Sequence, residues 1–192
     1  MRICVAITGA SGVVLGQRLL ENLHGYEVHL IVSDAARRVI ALELGRDVRL
    51  PADYQYDNKD IAAPLSSSSF LVDAMAVVPC SMKTLAGIAH GYADSLILRA
   101  AENALRLNRK LVLVPRETPL SLSAIENMRQ ARLSGAIILP PTMAYYYEPK
   151  SVDDVTDFFV GKILDALSFE HHLFRRWSGV TGASCDEPES FR

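Results

Sequence analysis

The chain has 192 residues, 49% of them hydrophobic, and a formal charge of −2. That length suits one domain with a full core, and the near-neutral balance supplies no basic field for a nucleic acid. No apolar run approaches the ~20 residues needed to span a membrane.

Taken in chain order, short apolar runs alternate with helical periods. A strand is expected over Arg2–Ile7, beginning so early that no room is left for a signal peptide. Thr8-Gly9-Ala10-Ser11-Gly12 then turns into a helix over Val13–Leu23. Glycines there let the backbone approach a phosphate or a ring closely, although tight strand–helix packing uses glycine too. A second strand, Glu27–Val32, ends in Ser33-Asp34 and leads to a helix over Ala35–Leu44. Gly45–Ser69 is the least regular stretch, and Ser66–Ser69 reads as a turn or a ligand loop.

A third strand over Ala74–Val78 ends in Pro79-Cys80-Ser81-Met82-Lys83-Thr84, whose hydroxyls and free amides suit a phosphate at a helix N-terminus. Helices follow over Met82–His90 and Ser95–Leu107. On the second of these, Arg99 and Arg106 are seven apart and share a face; with Glu102 between them, a solvated surface is the plainer reading. Leu111–Val114 reads as a strand buried on both faces, ended by Pro115, which has no N–H for the ladder. Arg116 and Glu117 follow at its carboxyl end, where open α/β sheets bind ligands; an exposed ion pair is the alternative. A helix over Ser121–Leu133 and a strand over Ala136–Leu139 come next. Tyr145-Tyr146-Tyr147 is unusual, since exposed aromatics in a loop pack or bind. The last helix spans Val152–Leu167, with Ser151 as N-cap and Asp153 and Asp154 in its first turn. From about residue 178 the chain is polar and aperiodic, and a disordered tail is expected.

This succession implies a single-domain, doubly wound α/β fold (Rossmann/flavodoxin-like) with a mostly parallel sheet over residues 1–177. Four pointed loops then face one edge, as a mononucleotide site requires. Three scattered cysteines (Cys4, Cys80, Cys185), odd in number, suit reduced thiols in a cytoplasmic protein, and Cys4 reads as core. The five histidines make no ligand set, because His171 and His172 are adjacent and no Cys/His/Glu cluster accompanies them, so no metal is expected.

A rival reading is a short-chain dehydrogenase, with glycines at 9, 12 and 16 and a Tyr146-x-x-x-Lys150 pair. Those two groups share a face only on a helix, and Pro149 pushes Glu148 out of the α region. The chain is also short for that fold.

The stretches Ile7-Thr-Gly-Ala-Ser-Gly12, Val32-Ser-Asp-Ala-Ala36, Pro79-Cys-Ser-Met-Lys-Thr84, Arg99-Ala-Ala, Val114-Pro-Arg-Glu-Thr-Pro119 and Ile138-Leu-Pro-Pro141 together resemble the flavin prenyltransferase family, the UbiX group. They run in order over nearly the whole chain. The resemblance implies a cytoplasmic enzyme joining a dimethylallyl group to N5 and C6 of reduced FMN. The prenylated FMN would serve a partner decarboxylase of the UbiD type. It also implies a homo-oligomer, a dodecamer, with sites at subunit interfaces.

By the same resemblance, Gly9, Ala10 and Ser11 lie against the flavin, and Ser33, the turn Ser81, Met82, Lys83, Thr84 and Arg116 complete the FMN site. Arg99, Arg106, Tyr146 and Lys162 hold the prenyl phosphate. Glu117 manages protons, with Ser11 beside the flavin, and Trp177 faces the allylic cation. The chemistry agrees: breaking an allylic C–O bond leaves an anion that clustered cations stabilise, and a carbocation that aromatic faces stabilise and water would trap. No metal is then needed. Dimethylallyl monophosphate is the expected donor, ahead of the diphosphate.

The sequence departs from the family pattern in three places. Arg106 stands where many members carry lysine, Ser66–Ser69 lacks an expected glycine, and Leu15 replaces a common aromatic. Two other classes compete. An FMN-dependent cysteine-type decarboxylase needs an asparagine that Pro140-Pro141-Thr142-Met143-Ala144 lacks. A non-catalytic flavin-binding subunit has no need of Arg99, Lys162 and Glu117 together.

Overall fold

The computed structural model describes residues 1–177; the expected tail, residues 178–192, lies outside them. The described residues build one six-stranded parallel sheet flanked by helices on both faces. In chain order the elements are β1 (Arg2–Ile7), α1 (Val13–Glu21), β2 (Glu27–Val32), α2 (Asp34–Glu43), β3 (Tyr54–Asp57), a 3-10 turn (Pro64–Ser66), β4 (Ala74–Cys80), α3 (Met82–Ala89), α4 (Leu96–Arg106), β5 (Lys110–Pro115), α5 (Leu122–Leu133), β6 (Ile137–Ile138) and α6 (Val152–Leu167). No helix among them is long and apolar enough to cross a membrane.

The sheet order is β3-β2-β1-β4-β5-β6. The chain therefore grows outward from β1 through β2 and β3, then returns to lay β4 on the other side of β1. That reversal places a crevice at the carboxyl ends of β1 and β4, the usual ligand position in such sheets. β4 is buried along its whole length, as its unbroken apolar run requires. One face of the sheet is covered by α1, α2 and α6, with Phe158, Phe159 and Ile163 among the buried side chains. The other is covered by α3, α4 and α5, with Leu85, Leu96 and Ala131.

The two prolines at the strand ends do not stop the ladder where expected. β4 continues through Pro79 to Cys80, with a register shift against β5 between Val77 and Cys80. Pro115 also stays in β5, paired with Cys80, and the Arg116 N–H donates to the Cys80 carbonyl at 3.3 Å. Thr8 ties the end of β1 to β4 on either side of Pro79, which has no N–H of its own. Its N–H and its Oγ1 both donate to the Pro79 carbonyl, at 3.2 and 2.8 Å, and Oγ1 accepts the Ser81 N–H at 2.7 Å. Thr8 is 1% exposed, so these bonds form away from water.

β3 was not expected. Tyr54-Gln55-Tyr56-Asp57 is an edge strand whose side chains are mostly exposed, so it carries no apolar run to mark it. β6 is shorter than the four residues expected. The helices match their expected spans to within two residues at each end. Ser33, Ser81, Ser121 and Ser151 cap α2, α3, α5 and α6 by accepting a first-turn N–H; Ser151 and Asp154 form a reciprocal capping box. Ser95 makes no such bond, and Asn58 substitutes: its carbonyl takes the Leu96 N–H at 2.8 Å and its Oδ1 the Ile97 N–H at 3.0 Å. The N-terminus of α4 is thereby fixed beside the carboxyl end of β3.

Thr8→Val keeps the shape of the side chain but leaves the half-buried Ser81 N–H without its partner. It is expected to lower unfolding free energy by about 1–3 kcal/mol, read from the denaturant midpoint at unchanged slope. A variant as stable as the parent would contradict the role given to Thr8.

Candidate active site

The expected loops do gather at one edge. Thr8–Gly12 follows β1, Ser33 follows β2, Ser81–Thr84 follows β4 and Arg116–Glu117 follows β5, and β1, β2, β4 and β5 are adjacent. The glycines of the first turn serve the fold first. A Cβ on Gly9 would sit 2.5 Å from the Ala35 Cβ, so Gly9 lets α2 start hard against the end of β1. Gly12 has φ 92° and is the N-cap of α1 without a side chain to cap it.

That missing cap is supplied from 31 residues away. Glu43, at the last turn of α2, accepts the Gly12 and Val13 N–H groups through Oε2 at 2.9 and 3.2 Å. A carboxylate thus occupies the N-terminus of α1, where the sequence leaves room for a phosphate. Of the three turn residues expected beside the flavin, Ser11 is exposed, Gly9 half-buried and Ala10 buried. Glu43 was not foreseen; the available signal was a glycine N-cap in need of an acceptor.

Among the described residues no such carboxylate bonds the α3 N-terminus, which is capped by its own serine. Ser81 Oγ accepts the Thr84 N–H at 3.3 Å and lies 3.1 Å from Thr84 Oγ1, while the N–H groups of Met82 and Lys83 belong to the first turn and have no intrahelical partner. The helix dipole adds to their pull on an anion. Arg116, half-buried, stands at the end of the neighbouring strand, and its Nε is buried with no hydrogen-bond partner in the structure. An orphaned guanidinium N–H is costly unless something accepts it. A flavin with its phosphate fits this donor set. Glu117 is exposed, its Oε1 accepting the Thr118 N–H at 3.0 Å. Ser33 Oγ accepts the Ala36 N–H at 3.1 Å, which leaves its O–H able to donate, and Asp34 beside it pairs with Lys59 at 2.6 Å, which holds that carboxyl below the usual range. Cys80 is fully buried, and burial pushes its thiol up to about 12, so it is no nucleophile.

The four residues expected at a prenyl phosphate fall into two groups. Arg99 and Arg106 share a face of α4, and both reach Glu102. Tyr146 and Lys162 lie with α6 on the opposite face of the sheet. Tyr146 meets the Phe158 ring edge-on at 6.1 Å and the exposed Trp177 ring at 5.7 Å, and Lys162 Nζ lies 5.9 Å from the Phe158 ring centre and 5.7 Å from that of Phe174. One subunit does not bring these groups together. The stretch from Tyr146 to Lys150 is not helical, and Glu148 has φ 56°, so the dehydrogenase geometry is absent. Among the described residues no three His, Cys, Asp or Glu side chains gather as a metal site.

Residues 1–164 match the flavoprotein family model. The flavin prenyltransferase UbiX of Methanocaldococcus jannaschii is 47% identical over 185 residues, covering 94% of this chain and 100% of that protein. A crystal structure of a dodecameric FMN-dependent UbiX-like decarboxylase from Escherichia coli O157:H7 superposes with a TM-score of 0.89 at 46% identity, covering 93% of this chain and 100% of that one. That of AnUbiX (PadA1) in complex with FMN and dimethylallyl pyrophosphate does so with a TM-score of 0.88 at 45% identity, covering 93% and 97%.

Removing the borrowed cap tests the reading of the first turn. Glu43→Ala is expected to lower stability by about 1 kcal/mol, and hydrogen exchange should quicken at Gly12 and Val13 in particular. Unchanged exchange there would show that Glu43 does not hold the turn.

Proposed function

The chain belongs to the flavoprotein family and to its UbiX flavin prenyltransferase group, and we propose that its reaction joins a dimethylallyl group from dimethylallyl monophosphate to N5 and C6 of reduced FMN. The observation that carries this reading is the coexistence of two unlike sites: a flavin-sized edge ending in the unpartnered Arg116 Nε, and a two-arginine face on α4. A plain flavin carrier has no use for the second.

FMN supplies the nucleophilic ring atoms. Gly9, Ala10 and Ser11 lie along that ring, while Met82 and Lys83 N–H groups, Ser81, Thr84, Ser33 and Arg116 hold the phosphate and polar edge. Arg99 and Arg106 receive the donor's phosphate. When the allylic C–O bond breaks, its electron pair leaves with that phosphate, and clustered cations stabilise the anion. Tyr146, Lys162 and Trp177 lie on the other sheet face, so they complete the site of a neighbouring subunit. Tyr146 and Trp177 present aromatic faces to the allylic cation, and water is excluded where subunits meet. Glu117, exposed at the end of β5, holds or moves the proton at N5 or on the departing phosphate.

The wider assignment follows from this reaction. Residues 1–177 act as one flavin-binding domain, repeated in a homododecamer in the cytoplasm, and the prenylated FMN passes to a UbiD-type decarboxylase.

Anaerobic incubation with reduced FMN and dimethylallyl monophosphate, followed by mass spectrometry of the released flavin, should show a product heavier by one C5H8 unit. Glu117→Gln should retain FMN and lose product by about 10²–10⁴-fold. Unmodified FMN with both the monophosphate and the diphosphate would overturn the reaction, and undiminished product from Glu117→Gln would overturn the role of Glu117.

A further inference from the structure

The two arginines of α4 are not free. Glu102 lies between them and pairs with both, its Oε2 accepting from Arg99 Nη1 at 3.0 Å and its Oε1 forming an ion pair with Arg106 Nη2 at 3.3 Å. Asn103 adds a second hold: its Oδ1 accepts Arg106 Nη2 at 3.2 Å, and its Nδ2 donates to the carbonyls of Leu65 and Ser66 at 3.2 and 3.1 Å. Arg99 Nη2 donates to the same Ser66 carbonyl at 3.4 Å. The result is a ring, closed by hydrogen bonds and the Glu102–Arg106 ion pair, that runs from the serine loop through Arg99, Glu102, Arg106 and Asn103 and back to the loop.

The members of the ring differ in how firmly they are held. Asn103 is 6% exposed, and a buried amide with its partners in place is costly to displace. The Glu102 side chain is 37% exposed, as is that of Arg99, and Arg106 is 50% exposed. Ion pairs so open to water are weak. A carboxylate that gives one oxygen to each of two guanidinium groups also presents the charge and acceptors that a phosphate brings to such a pair. With Glu102 seated, the three groups carry one net positive charge; with it displaced, two positive charges face the donor's dianion.

We propose that Glu102 is a positioning residue of the donor subsite, an internal stand-in for the phosphate. It keeps Arg99 and Arg106 aimed while the site awaits a donor, yields to the donor's phosphate, and takes the arginines back as inorganic phosphate leaves. Asn103 and the Ser66 carbonyl hold the arginines' bearings throughout. This rests on the reading of α4 as the face that receives the donor.

The test is calorimetric titration of inorganic phosphate into the FMN-loaded, full-length oligomer, with donor KM and kcat measured alongside. Glu102→Gln removes the competing charge and is expected to bind phosphate about 3–10-fold more tightly. Donor KM should fall with it, and kcat should fall as phosphate release slows. Glu102→Ser should give the same signs, which covers the case of a glutamine amide bonding the arginines in its place. A carboxylate that merely steadied the helix would move neither phosphate affinity nor the KM–kcat split in this direction. Unchanged or weaker phosphate binding in both variants would overturn the proposal. In Arg106→Ala phosphate binding should collapse; if it matched the parent, the assignment of α4 as the donor face would fall as well, a result separable from the Glu102 variants.

Discussion

Thr8 joins the two halves of this molecule. The sheet reverses its growth between β1 and β4, and at that point Pro79 removes an N–H from a strand buried on both faces. The ends of β1 and β4 are joined there by a side chain as well as by the backbone. Thr8 bonds the Pro79 carbonyl twice and takes the Ser81 N–H, so one buried hydroxyl ties the glycine turn to the start of α3. The flavin edge inherits its geometry from that tie. Ser81 is held at the N-cap, the first-turn N–H groups of α3 stay open, and Arg116 is fixed one strand away through its N–H to the Cys80 carbonyl.

A second layer of control is electrostatic and uses borrowed carboxylates. Glu43 fills the N-terminus of α1 from the end of α2, which is why the proposed anion positions are the α3 N-terminus and Arg116. Glu102 does the like for the arginines of α4. In each case a side chain exposed to water occupies a position that attracts negative charge. Contacts so open to water are modest in energy, and in the proposed reaction they bear on where a phosphate can bind. The same logic explains why the two phosphates proposed for the reaction, one on the flavin and one on the donor, are kept on different elements.

Much of this was legible in the sequence. Period and turn chemistry located every helix and five of the six strands, because those elements bury apolar faces that repeat at 3.6 or 2 residues. The loops at the carboxyl edge followed, since parallel topology sends every βα turn to one side. β3 escaped because an exposed edge strand of tyrosine, glutamine and aspartate has no buried face to write into the pattern. Glu43 and Asn58 escaped because a cap supplied from a distant residue leaves no local spacing to read. Spacing also placed Arg99, Glu102 and Arg106 on one face of α4, but it carries no information about which side of the sheet that face adorns. Only the fold shows that Arg99 and Arg106 lie on one side and Tyr146 and Lys162 on the other.

That separation underlies the proposal that two copies of the chain build the donor site between them. Subunit mixing addresses it directly. An Arg99→Ala/Arg106→Ala double variant and a Lys162→Ala variant, each without prenyl transfer alone, would be dissociated, combined in equal amounts and reassembled. Random assembly gives up to about a quarter of the sites two intact halves, so the mixture should regain prenylated flavin to about that fraction of the parent's output. Activity no higher than that of the separate variants would contradict the account and place all four groups in a site formed by one chain.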